Sequence, residues 1–261
     1  MFVDSHCHLT FEGLAERIDD VLAAMKAAGV DRALSICTTI EEFPSVLGLV
    51  QDRPQLRATA GVHPDSEGVH EPDEAELIRL ASHPLVLAVG ETGLDYYRLN
   101  GRSLADMAWQ RERFRRHIRA AIAVRKPLVV HTRDAAVDTL AILEEEGARE
   151  VGGVFHCFTE TEVVARAALD MGFHISFSGI LSFKNAQALR DVAACVPLER
   201  CLIETDSPYL APVPYRGKTN QPAYVPHVAS ALAAAKGMSV EAIASATTEN
   251  FEILFGWQGV S

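Results

Sequence analysis

Eight short apolar or β-branched runs alternate with longer helix-period stretches along this chain, and that alternation leaves few folds open. The runs fall at 2–5, 32–37, 56–61, 85–89, 127–131, 152–156, 173–177 and 201–205. Between them, 12–29, 41–52, 73–82, 103–125, 134–147, 160–171 and 185–195 place apolar residues at helical spacing. Strand followed by helix, repeated, builds a parallel sheet, because each parallel pair needs a crossover connection. The expectation for 261 residues is an α/β architecture, one TIM (β/α)8 barrel domain over 1–261, a fold that typically takes about 250 residues. A doubly wound open sheet is the runner-up. No Gly-x-Gly-x-x-Gly follows a strand and no Walker loop is present, so no nucleotide cofactor is expected. A Pro-rich segment at 207–226 follows the last run, with helices expected near 223–236, 239–246 and 248–255. A long segment of that kind usually marks function rather than a domain boundary.

Hydrophobic residues make up 48% of the chain, enough for a large buried core. No apolar run is long enough to span a membrane, and no basic-then-apolar signal sequence opens the chain. Cys7, Cys37, Cys157, Cys195 and Cys201 are scattered without a CxxC pair, which points to reduced thiols and a cytoplasmic location. A net charge of −11 counts against broad binding of nucleic acid through the global field. The charge is uneven, however. No acidic residue lies between Asp206 and Glu241, a stretch that carries Arg216, Lys218 and Lys236 interleaved with Tyr209, Tyr215 and Tyr224. The acidic cluster Glu67, Glu71, Asp73, Glu74 and Glu76 reads as a solvated helix start.

Polar residues punctuate the strand ends. His6 and His8 close the first run, and at i and i+2 on an extended backbone they point the same way. Gly61-Val62-His63-Pro64 follows the third, Gly90-Glu91-Thr92-Gly93-Leu94-Asp95 the fourth, His131-Thr132-Arg133 the fifth and His156-Cys157-Phe158 the sixth. Ser178-Gly179, with Phe183-Lys184 beyond, follows the seventh, and Glu204-Thr205-Asp206-Ser207-Pro208 the eighth. In a barrel all these ends converge on one mouth. Four of the imidazoles there, His6, His8, His131 and His156, with several carboxylates, suit divalent ions, and one carboxylate can bridge a pair of them. His6, His8 and Asp206 are assigned to one ion, His131 and His156 to the other, and Glu91 to the bridge. Asp206 is also placed to take a proton from the attacking water.

Each assignment has a plainer alternative. His131 and His156, taken alone, read as strand-end histidines bonded to backbone. Glu91 and Asp206 read as caps of the following helices. Glu204 shares a strand face with Asp206 and reads best as a residue that orients a ligand. His63 is either a turn residue before Pro64 or a phosphate contact. His117 and His174 read as core or surface, and the Arg111, Arg115, Arg119 ladder as a solvated helix face.

Asp4-Ser5-His6-Cys7-His8-Leu9, the Gly61, Gly90, His131 and His156 segments quoted above, Gly179 to Lys184 and Glu204 to Tyr209 together resemble the TatD family of metal-dependent deoxyribonucleases. Arg216-Gly217-Lys218 with Asn220 and Pro222 fits as well, and the resemblance runs from residue 1 to about 256. It implies a TIM-barrel hydrolase with one or two divalent ions (Mg2+, Mn2+ or Zn2+) that cuts phosphodiester bonds in DNA, commonly as a 3′→5′ exonuclease using a metal-activated water. The metal residues it implies are His6, His8, Glu91, His131, His156 and Asp206. Where the family usually has Glu between Asn and Pro, this chain has Gln221.

DNA as partner, in single strands or at 3′ ends, makes His63, Arg133 and Lys184 candidates for phosphate contact. Tyr96, Tyr209 and Tyr215 are candidates for stacking on bases, with packing of loop on barrel as the plainer alternative, and Arg98, Arg216 and Lys218 for tracking the strand. Two competing readings are an amidohydrolase-type or ester hydrolase acting on a small molecule or aminoacyl-tRNA, and a metal-stabilised binding protein without turnover. A bridging carboxylated Lys, frequent in cyclic-amide hydrolases, is replaced at the fourth strand by Glu91. A structural site is usually closed by four ligands per ion, whereas six ligands over two ions leave positions open.

Overall fold

The computed structural model describes residues 1–258. Eight strands, β1 (Phe2–Cys7), β2 (Val30–Ser35), β3 (Leu56–Ala60), β4 (Val86–Asp95), β5 (Leu128–Arg133), β6 (Gly153–Phe155), β7 (His174–Phe177) and β8 (Cys201–Ile203), lie side by side in chain order. Every pairing is parallel. Helices α1 (Ile18–Ala27), α2 (Phe43–Gln51), α3 (Glu74–Ala81), α4 (Ala108–Val124), α5 (Ala136–Glu145), α6 (Glu162–Asp170) and α7 (Gln187–Cys195) fill the crossovers, and α8 (Val225–Lys236) and α9 (Val240–Phe255) complete the chain. The ring closes between β1 and the segment after β8. There the His8 N–H donates to Ser207 O at 2.8 Å and the Asp206 N–H to His6 O at 2.9 Å. Beneath them the buried Asp4 carboxylate accepts the Thr205 N–H at 2.9 Å and the Thr205 hydroxyl at 2.5 Å. The barrel expected from the alternation is therefore the fold.

Of the element boundaries that differ from expectation, three bear on the argument. The first helix starts at Ile18 rather than near 12, after Gly13 turns the chain at φ +86° and Ala15–Arg17 form a short 3-10 turn. β4 continues past 89 to Asp95, because the far half of β5 pairs with Thr92, Gly93, Leu94 and Asp95. Two glycines in a polar run give no strand signal of their own. The helices expected at 239–246 and 248–255 are one, α9. The Thr247 hydroxyl donates to Ile243 O at 2.8 Å, so the Thr-Thr pair is accommodated inside the helix.

Phe251, Phe255 and Trp257 pack on Val3, Leu34, Ala88, Val129, Val154 and Leu202, one residue from each of six strands. The end of α9 thus stoppers the barrel opposite the polar mouth, where the Asn250 amide donates to Leu198 O and Cys201 O at 2.8 Å each. A second, larger apolar cluster lies between strands and helices. The arginine ladder of α4 pairs outside the barrel: Arg115 meets Glu145 at 2.6 Å and Arg119 meets Glu146 at 2.7 Å. Asp73 caps α3 by accepting the Glu76 N–H.

His117 and His174 are both in the interior, at 0% and 4% exposure. Burial pushes the His117 imidazole down to about 4, and burial with the nearby Arg200 charge does the same to His174. Between pH 6.5 and about 4 the unfolded chain binds these two protons and the folded chain does not. Their contribution to stability is therefore fully present above 6.5 and lost as pH falls toward 4. Urea unfolding from pH 7 to 4.5 should show stability dropping by up to about 1.4 kcal/mol per pH unit for each histidine. His174→Gln should remove one share of that slope. An unchanged slope in the variant would rule out this origin.

Candidate metal centre

The strand ends deliver their side chains to one point. The register of β1 shifts between Asp4 and Cys7 and that of β4 between Val89 and Thr92, so both irregularities span a candidate ligand, His6 or Glu91. Such bulges re-aim side chains. Asp206 and Cys157, at the ends of β8 and β6, hold left-handed backbone at φ +56° and +43°. For a cysteine this conformation is costly and is kept only where surrounding contacts impose it. The Cys157 N–H donates to Glu204 at 2.7 Å.

Two groups of atoms face the two oxygens of Glu91. On one side, Glu91 Oε2 lies 3.3 Å from His6 Nε2 and 3.8 Å from His8 Nε2. Asp206 Oδ1 lies 3.3 Å from His8 Nε2 and 3.6 Å from His6 Nε2, and the two imidazole nitrogens are 3.3 Å apart. On the other side, Glu91 Oε1 lies 2.8 Å from His156 Nε2, 3.1 Å from His131 Nδ1 and 3.3 Å from His63 Nε2. Ligand atoms at 2.1 Å from one ion, at tetrahedral angles, stand roughly 3.4 Å apart. Both groups fit that spacing. Glu91 is 2% exposed and its Oε2 accepts no hydrogen bond, an orphaned buried oxygen that a cation would satisfy. Imidazole and carboxylate donors suit Zn2+, Mn2+ or Co2+.

Electrostatics point the same way. Burial pushes the Glu91 carboxyl up, but His156, His63 and His6 together with the His131 hydrogen bond hold it well below the ordinary range. Burial is likewise outweighed at Asp206 by His8, His6 and His156, and that carboxyl is lowered. Burial leaves His6 and His63 lowered, hence neutral with a lone pair to offer. At His8, His131 and His156 the neighbouring carboxylates overcome burial and raise the imidazoles. The site is built to attract positive charge.

Outer partners fix the rings. Glu204, 0% exposed, lies 3.3 Å from His156 Nδ1. Asp95 was not singled out in the sequence, yet its Oδ2 lies 3.1 Å from His131 Nε2 and its Oδ1 accepts the Tyr97 N–H at 2.9 Å. The missed signal was spacing: Asp95 is two steps of two from Glu91 on one strand. Asp95→Asn should weaken metal binding about tenfold without unfolding the barrel. Competition against a chelator measures this, and unaltered affinity would show that the His131 ring is held by other contacts.

The rim is more varied than expected. Tyr96 does not face the mouth: its ring is 6% exposed, and its hydroxyl donates to Asp138 at 2.8 Å and accepts from Arg111 at 3.0 Å. The backbone of β4 turns it toward α4 and α5, so its expected place as a stacking surface is corrected to packing. The Arg133 guanidinium lies over the Tyr97 ring at 3.5 Å, and that of Arg216 over Phe183 at 3.5 Å. Lys184 and Lys218 are exposed, with Lys218 Nζ 5.8 Å from the Tyr215 ring, which itself stacks on Tyr224. Tyr209 is 56% exposed. The 207–226 segment is pinned by the buried Asn220, whose amide donates to Thr205 O at 2.8 Å and Tyr209 O at 2.6 Å. Gln221 donates its backbone N–H to Asn220 Oδ1 at 2.9 Å.

Comparison with known proteins matches this arrangement. The family model described as TatD related DNase matches residues 3–256. An uncharacterised metal-dependent hydrolase, YcfH of Escherichia coli K12, is 49% identical over 97% of this chain and 95% of its own length. The protein named 3′-5′ ssDNA/RNA exonuclease TatD from Citrobacter rodentium is 34% identical over 97% of each chain. Among solved structures, the TatD homologue YjjV of Escherichia coli K12 superposes with a TM-score of 0.89 at 26% identity, covering 98% of both chains. A barrel whose strand ends gather imidazoles around one buried carboxylate, and whose sequence matches these proteins from end to end, belongs to the TatD family of metal-dependent hydrolases.

Proposed function

We propose that this protein is a deoxyribonuclease that removes nucleotides from 3′ ends of DNA, single-stranded for preference, and that His6, His8, Glu91, His131, His156 and Asp206 would hold its two divalent ions. The observation that carries the reading is that the buried Glu91 turns Oε2 toward His6 and Oε1 toward His131 and His156, with imidazoles on both sides of one carboxylate. The exonuclease name borne by the Citrobacter rodentium relative supports the substrate class. When bound, such ions acidify a water and neutralise charge on the attacked phosphate.

The chain's own residues supply the rest. Asp206, held ionised by His8 and His6, accepts the proton of the attacking water. Glu204 and Asp95 hold the rings of His156 and His131. His63 either completes the Glu91 Oε1 group or meets a phosphate oxygen, and its 3.3 Å approach to that oxygen favours the first. Arg133 and Lys184 neutralise phosphate charge, while Arg216 and Lys218 on the acid-free 207–226 segment track the strand backbone. Five free thiols suit a reducing compartment, and we place the protein in the cytoplasm. Among the described residues no helix is long and apolar enough to cross a membrane.

The test is release of nucleotides from 3′-labelled single-stranded DNA by metal-depleted protein, with Mg2+, Mn2+ or Zn2+ restored, beside an Asp206→Asn control. Metal-dependent release of mononucleotides, absent in the control, is expected. Protein that binds metal yet releases nothing would refute the nuclease reading and direct the search to other esters and amides.

A further inference from the structure

β4 and β5 end together, with Asp95 paired to Arg133, and just beyond them lies Tyr97. Its position is fixed from three directions. Tyr96, one residue before, is drawn into the interior by Asp138 and Arg111, and its N–H donates to Arg133 O at 2.9 Å. The Tyr97 N–H donates to Asp95 Oδ1 at 2.9 Å, and the other oxygen of that carboxylate holds His131 at 3.1 Å. One carboxylate thus separates the Tyr97 backbone from the metal centre. The Tyr97 ring, 55% exposed, has the Arg133 guanidinium over it at 3.5 Å. Arg133 follows His131 by two residues, so the two side chains leave the same face of β5, roughly 6.6 Å apart along the strand.

Resting on the nuclease reading, we infer that Tyr97 and Arg133 form a platform for one nucleotide of a single-stranded nucleic acid next to the bond being cut. A guanidinium and an aromatic ring in contact match the two halves of one nucleotide. The planar fork takes phosphate oxygens, and the ring takes a base face. Cation–π contact with Arg133 keeps the ring in place before substrate arrives. The platform selects for single strands, because a base within a duplex already has both faces covered by its stacked neighbours.

The test compares wild type, Tyr97→Ala and Tyr97→Phe on two single-stranded DNAs, one with natural bases and one abasic at its last two 3′ positions. On the natural strand Tyr97→Ala should raise KM about tenfold, while on the abasic strand it should act little; Tyr97→Phe should behave as wild type. In metal-free protein, quenching of a 3′-terminal 2-aminopurine should occur with wild type and be lost in Tyr97→Ala. Equal effects of Tyr97→Ala on both strands, or none, with cleavage intact would overturn the platform and leave the nuclease standing. Metal-loaded wild type that neither binds nor cuts any strand would overturn both.

Discussion

Glu91→Gln is expected to lower kcat about a thousandfold while the barrel remains folded. The amide matches the carboxylate in shape but not in charge, and it replaces one oxygen with a donor group. Glu91 directs Oε2 at His6 and His8 and Oε1 at His131, His156 and His63. Whichever way the amide turns, one group of nitrogens faces an N–H2 that cannot bind a cation. If Glu91 holds an ion there, losing it would cost several kcal/mol of transition-state stabilisation, or about three orders of magnitude in rate. Elemental analysis after dialysis should find fewer ions per chain than in wild type, and far-UV circular dichroism should be unchanged. Full metal content with a thousandfold loss would assign Glu91 to chemistry rather than to binding. Full activity would remove it from the site.

The parts of this centre that were legible in sequence are residues at the ends of apolar runs, although a register shift at His6 and left-handed backbone at Asp206 set how they finally point. His6 and His8 at i, i+2, His131 and His156 at the ends of apolar runs, and Asp206 beyond Glu204 become candidates through the rule that barrel strands end at one mouth. The family resemblance, which ran through the same residues, is matched by a family model over 3–256. What escaped depended on where the backbone bends. Tyr96 and Tyr97 are equivalent by composition, and only the end of β4 decides which turns inward. His63 is drawn to Glu91 by a loop that α4 holds from behind. Buried Arg113 donates to His63 O at 2.7 Å and Ser66 O at 2.8 Å, and His117 Nε2 accepts the Val62 N–H at 3.0 Å. Both side chains are polar residues on a helix face that sequence reads as core or solvent. Their partners lie about fifty residues away and carry no local signal.

The length of β4, also misread, has a mechanical consequence that Gly93→Ala should expose. Gly93 pairs with His131 at φ +135°, and a Cβ there would lie 1.9 Å from His131 O. Backbone cannot step aside as a flexible side chain can, so β4 and β5 must part between Glu91 and Asp95. We expect a loss of about 4 kcal/mol or more, the range reached only when a clash or strain has no local relief, and a Tm lowered by roughly 10 °C. Gly147→Ala provides the contrast. Gly147 also has positive φ, +73°, but nothing lies within 4 Å of its added Cβ, so only the conformational cost of about 1–2 kcal/mol applies. Metal affinity separates the two further. Glu91 and His131 sit on the strands that Gly93→Ala forces apart, so binding should fall with stability there and stay intact in Gly147→Ala. Equal losses in the two variants would mean that β4 and β5 relax around the methyl group and that their close approach does not hold the centre together.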